Sequence, residues 1–259
     1  MTQTTSTPPA TPASPPRKSR KWWYIGGAAV LALVVLGVAI WYFVFRDDAP
    51  EAVDIKKAGE TAQESNQGSG KPASSSLDGT WSIDPSVGTF NDFSGTFVGY
   101  RVQEELASIG AKTAVGRTPN VEGSLQIEGT TISQASFTAD LTTLQSDESR
   151  RDNAIHGQAL ESDRFPTATF ELAQPIQLDA IPADGETINV DAEGSLTLHG
   201  VTKDVTIPLE AQRNGDVIAV TGQLPITFAD YDIDKPESFA VLSIEDNGIL
   251  EVQLFFSKD

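Results

Sequence analysis

Between Leu77 and Asp259 the chain alternates apolar and polar side chains in short runs, and that period of two confines it to half-buried β-strands. The runs cover 124–128, 131–141, 167–172, 187–198, 205–211, 217–228 and 249–255, with further strands expected near Phe90 and over 97–102. Glycine, proline, asparagine and aspartate separate them. RNGD at 213–216 and DNG at 246–248 suit tight hairpins because Asn-Gly tolerates positive φ, and ADG at 183–185 suits a third turn. In GSLTLHGVTKDVTIPLEAQRNGD, residues 194–216, the apolar parity flips: Leu196 and Leu198, then Val205, Ile207, Leu209 and Ala211. Either 199–204 connects two strands that each keep their own alternation, or one strand carries a bulge at Gly200.

Eight or nine strands joined by short connections are mostly antiparallel, and closing them into a barrel removes exposed edges. The expected fold is all-β, an antiparallel eight-stranded barrel with one or two short helices. The helical candidates are 101–109 (RVQEELASI) and 147–160 (DESRRDNAIHGQAL), the second placed to cap one end.

The first third of the chain has a different character. Residues 1–21 are rich in Thr, Pro, Ser and Ala, bury too little to fold, and read as a disordered cytoplasmic tail. Residues 22–45, WWYIGGAAVLALVVLGVAIWYFVF, contain no charge. As a helix they would span roughly 36 Å, enough to cross a hydrocarbon core of about 30 Å with some tilt. Trp22, Trp23 and Tyr24 at one end, with Trp41, Tyr42 and Phe43 at the other, fit the two headgroup levels. The run is too long, and its end too bulky, for a cleaved signal peptide. Arg17, Lys18, Arg20 and Lys21 precede it and Arg46 alone follows it before Asp47, so the N-terminus is expected in the cytoplasm and the remainder outside. Residues 46–76, which have few large apolar residues and end in Gly, Ser and Pro, read as a flexible linker to a domain over 77–259. GSGKP within it is no phosphate loop, since Pro72 follows Lys71.

Composition excludes several functions. Residues 47 onward carry 13 basic and 36 acidic side chains, a formal −23, which argues against nucleic acid as a partner. With no cysteine there is no disulfide, thiolate nucleophile or Cys-held metal. His156 and His199 are the two histidines and neither lies in a ligand motif, so no metal or other cofactor is expected. No G-x-S-x-G is present, and no catalytic residue is assigned.

Three blocks carry a resemblance to a known family. GSLTLHGVTKDVTIPLE resembles the late hairpin of the YceI-like family, a lipocalin-like group of barrels whose characterised members bind a polyisoprenoid. DLTTLQSDESRRDNAIHGQAL is similar to its Arg-Asp segment, with Arg151 and Asp152 at those positions, and FPTATFEL to a further pattern through Phe165, Pro166 and Phe170. FVGYRVQEEL keeps Phe97 but lacks the histidines of the family's opening strand, and the membrane anchor is an addition.

The resemblance implies a lipocalin-like barrel holding a polyisoprenoid or other long-chain lipid. Candidate lining residues are Phe97, Phe137, Phe170, Leu196, Leu198, Ile207, Leu209 and Phe228. Arg151 is a candidate for an anionic head group at the mouth, or for an ion pair fixing the short helix to the rim. Alternation alone does not distinguish a solid eight-stranded core from a hollow one; the resemblance favours the hollow one. The other readings are an external interaction module with a filled core and, behind it, a hydrolase. A homodimer stays open.

Overall fold

The computed structural model describes residues 31–39, 41, 49–69, 76–107, 110–237 and 241–259. The chain divides into two units, Met1–Arg46 and Asp47–Asp259. In the first, residues 31–39 and 41 are helical, and Leu33, Val34 and Val35 are exposed. Among the described residues no helix is long and apolar enough to cross a membrane. The tail over 1–21 and the rest of the span over 22–45 lie outside the described residues.

The described residues of the second unit form twelve strands: β1 (Gly79–Ile83), β2 (Phe97–Leu106), β3 (Gly110–Thr118), β4 (Val121–Glu128), β5 (Thr131–Asp140), β6 (Thr167–Leu172), β7 (Ile176–Gln177), β8 (Thr187–Leu198), β9 (Val201–Asn214), β10 (Val217–Thr227), β11 (Val241–Ile244) and β12 (Asn247–Lys258). Eight of them close an antiparallel barrel in the order β1-β4-β5-β6-β8-β9-β10-β12, with β12 returning to β1. The C-terminal half of β12 pairs with β1, Trp81 opposite Lys258, and its N-terminal half pairs with β2, Gln253 opposite Phe97. The two strands thus share one edge of β12, and β3 extends the wall beyond β2.

The parity flip is a two-residue hairpin. Leu198 faces Val201 across the turn, and His199 (φ 52°) and Gly200 (φ 75°) both adopt the positive φ that such a turn requires. Ala192 then pairs with Ile207 and Val190 with Leu209, so both alternations serve one interior. The connection is shorter than 199–204, and there is no single bulged strand. A Cβ at Gly200 would also lie 2.5 Å from the Phe165 ring.

Three expectations are corrected. Residues 101–106 continue β2 because β3 pairs with them as far as Leu106, and tertiary pairing overrides the helical look of QEEL. The segment at Phe90 is a short 3-10 turn, Phe90–Asp92, capped by Thr89. The linker over 46–76 contains a helix, α1 (Ile55–Ser69). Asp54 caps it by accepting from the Lys56 N–H at 2.8 Å. Ile55, Ala58 and Ala62, spaced as one helical face, pack on Val217, Ala219 and Phe255 outside the barrel. Residues 46–48 and 70–75 of that segment lie outside the described residues. The expected helix near 147–160 is present as α2 (Ser149–Ala154), continued by a π turn, Ile155–Ala159.

Candidate ligand-binding site

Inward side chains differ between the two ends of the barrel. At the end away from the β8–β9 turn, Trp81, Leu125, Ile127, Ile218, Leu254 and Phe256 meet in a packed cluster. Toward that turn the inner wall includes Ala114, Ala168 and Gly222, and the small residues leave a cavity of about 660 Å³. That volume falls within the range of about 300–1,000 Å³ usual for small-molecule sites. The barrel is hollow in this half and more closely packed in the other.

Leu196, Leu198, Ile207, Leu224 and Ile226 supply much of the apolar wall, and Ala154, Ile155 and Phe228 close it from the rim. Charged groups gather at the mouth. Arg151 on α2 donates from Nη2 to Glu104 of β2 at 2.7 Å and from Nη1 to Asp147 at 2.6 Å, tying the rim helix to the wall. Burial alone would lower the guanidinium pKa, but the bonds and charges of Glu104 and then Asp147 outweigh it and raise it. Its neighbour Asp152 accepts from the Ser146 N–H and Oγ at 2.8 and 2.6 Å. Tyr100, on the inward face of β2, also lines the cavity, and burial holds its phenol protonated far above the ordinary range.

The candidate residues divide by position. Phe137, Leu196, Leu198, Ile207, Phe228 and Arg151 line the cavity. Phe170 and Leu209 border instead a second space of about 110 Å³ in the packed half, which Phe137 and Ile207 also border. Phe97 borders neither, which corrects its assignment to the lining. β2 turns Val98, Tyr100 and Val102 inward, so Phe97 faces outward, where it is 1% exposed, under Arg117 at 4.2 Å and edge-on to Phe93 at 6.1 Å. Tyr100 and Glu104 are not among the sequence candidates: taking Phe97 as inward in the strand over 97–102 selects the opposite parity to Val98, Tyr100 and Val102, and the helical reading of 101–109 covers Glu104.

Both histidines are engaged in local structure. His156 donates from Nε2 to the Leu144 carbonyl at 2.8 Å and bonds Ser162 through Nδ1 at 2.8 Å. His199 donates from Nδ1 to the Tyr231 carbonyl at 3.0 Å and meets Glu161 through Nε2 at 3.1 Å. Among the described residues no group of three acidic or histidine side chains could hold a metal ion.

The YceI-like domain matches residues 71–256. This chain belongs to the YceI-like family. A UPF0312 protein of Vibrio parahaemolyticus is 26% identical over 150 residues, covering 54% of this chain and 76% of the relative. One from Vibrio vulnificus is 30% identical over 109 residues, covering 41% and 54%. Among solved structures, a polyisoprenoid-binding domain from Saccharophagus degradans aligns with a TM-score of 0.53 at 19% identity, over 69% of this chain and 98% of that domain. The YceI-like barrel is thus common to both, whereas α1 precedes the matched residues.

Proposed function

We propose that this YceI-like protein binds one long-chain lipid, such as a polyisoprenoid, inside its barrel, and that residues 22–45 anchor it in the cell membrane with the barrel on the extracytoplasmic side. The observation that carries the lipid reading is the apolar cavity of about 660 Å³ behind a polar rim. Each methylene moved from water into such a space contributes about 0.8 kcal/mol, so a long tail has a large gain available. Family membership and the polyisoprenoid-binding neighbour agree with it. Support for the anchor and its orientation comes from the uncharged run over 22–45 and its basic N-terminal flank. An anchor would keep the barrel near the bilayer that supplies its ligand.

The mouth bears on the head group. Arg151 is already held by Glu104 and Asp147, so gripping an anion would require breaking pairs with two carboxylates. Its role is to fix the rim.

The test is native mass spectrometry of the full chain, purified in nanodiscs from a lipid-containing host, followed by organic extraction. One lipid per barrel is the expected result. A protein that arrives empty and takes up no added polyprenol would reject the proposal.

A further inference from the structure

The residues between the two spaces described above have the character of a partition. Phe137, Ile207 and Val252 border both the cavity of about 660 Å³ and the smaller space of about 110 Å³. Phe137 on β5 lies opposite Phe170 on β6, and their rings stack at 5.4 Å with 23° between planes. Glycines on the flanking strands leave room for the two aromatic residues. A Cβ at Gly194 would fall 2.5 Å from the Phe170 ring, and one at Gly123 would fall 2.9 Å from the Phe137 Cβ. The Phe170 ring therefore lies directly against the β8 backbone at Gly194, and the root of the Phe137 side chain against the β4 backbone at Gly123. Beyond it the smaller space is walled by Leu125, Ile127, Val220 and Leu254, an apolar lining that water has little reason to fill.

Resting on the lipid-binding reading above, we propose that the stacked rings of Phe137 and Phe170 form the floor of the site and set the length of hydrocarbon tail it accepts. A tail entering at the rim runs past Leu198 and Leu196 toward Ile207 and ends against Phe137. A longer tail must displace a ring stacked on Phe170, which itself lies against the β8 backbone, and close packing makes such displacement costly. Removing the Phe137 ring joins the two spaces. The smaller has about one sixth of the volume of the larger, so the accepted length should grow by at least that fraction.

The experiment measures uptake of a graded ladder of linear prenyl alcohols by the full chain in nanodiscs, read by native mass spectrometry. Wild type is expected to lose affinity sharply beyond one tail length. Phe137→Ala should move that limit to longer tails and Phe137→Leu should move it less. Adding Val220→Phe to Phe137→Ala refills the far space and should return the limit toward the wild-type value. A limit unchanged in both single variants, with binding retained, overturns the floor and leaves lipid binding standing. No uptake by wild type at any length overturns the lipid-binding reading and the floor with it. Should Phe137→Ala not fold, judged by its circular dichroism, the more conservative Phe137→Leu decides between the same outcomes.

Discussion

Asp84 sits where β1 ends, and its carboxylate shows how a single residue couples this barrel to pH. It accepts from Ser257 Oγ at 2.6 Å, Ser86 Oγ at 2.6 Å and the Ser86 N–H at 2.9 Å, closing the chain ends of β1 and β12 together. Burial is the largest single influence and would raise its pKa, but the three donors together outweigh it and hold the pKa below the ordinary carboxylate value. A lowered folded-state value stabilises the fold above the unfolded pKa of about 3.9, and the contribution fades as pH falls through the folded value. Asp84→Asn is expected to cost about 1 kcal/mol at neutral pH, a figure discounted for partial exposure. In urea titrations the gap between wild type and variant should narrow as pH falls below the unfolded-state value of about 3.9. A gap that persists in acid would mean that the charge of Asp84 is not what those donors stabilise.

Elements were unequally legible in the sequence. Strands β8, β9 and β10 alternate cleanly, and His-Gly and Asn-Gly mark the turns between them, so their existence and pairing could be read directly. The hairpin expected at DNG, 246–248, is absent: Asn247 and Gly248 begin β12 and pair with Thr227 and Ile226 of β10, while β11 pairs with β2. The continuation of β2 and the whole of β3 could not, because their buried positions include Glu104, Ala114 and Arg117 instead of a row of large apolar side chains. The cavity was illegible for a related reason: alternation is the same whether inward residues meet or leave a gap, and the gap depends on glycines and alanines spread over several strands. Helix α1 escaped notice because its buried stripe is mostly alanine. The segment before it adds polar ties: Arg101 donates to the Pro50 carbonyl at 2.6 Å and Arg117 to the Glu51 carbonyl at 2.7 Å, while both arginines hold Glu251, which is 0% exposed. Ala62, also 0% exposed, reports on this docking. Ala62→Asp would place a charge in a dry seam, so the helix should undock and forfeit the burial of Ile55, about 2 kcal/mol, together with part of those ties. The expected signs are a melting temperature lower by roughly 4–8 °C and lost hydrogen-exchange protection over 55–69, whereas exposed Glu60→Ala should change neither. Unchanged protection in Ala62→Asp would mean that α1 does not rest on the barrel in solution.

For the molecule as a whole, the asymmetry of charge makes a prediction about placement. The first 46 residues hold five basic and no acidic side chains, while the remainder carries a formal −23. Basic flanks stay on the cytoplasmic side of an apolar span, so the acidic barrel is expected to be exported and held at the outer face. The lack of cysteine gives a clean assay, because any introduced thiol is the only one in the chain. Asp163→Cys, in an exposed turn of the barrel, should react with a membrane-impermeant maleimide on intact cells. Thr4→Cys, in the N-terminal segment, should react only after the cells are opened, and the full chain should resist extraction by alkaline carbonate. If carbonate released the chain, 22–45 would not be an anchor. If the labelling pattern were reversed, the orientation would be inverted, and any ligand would have to enter the barrel from the cytoplasmic face.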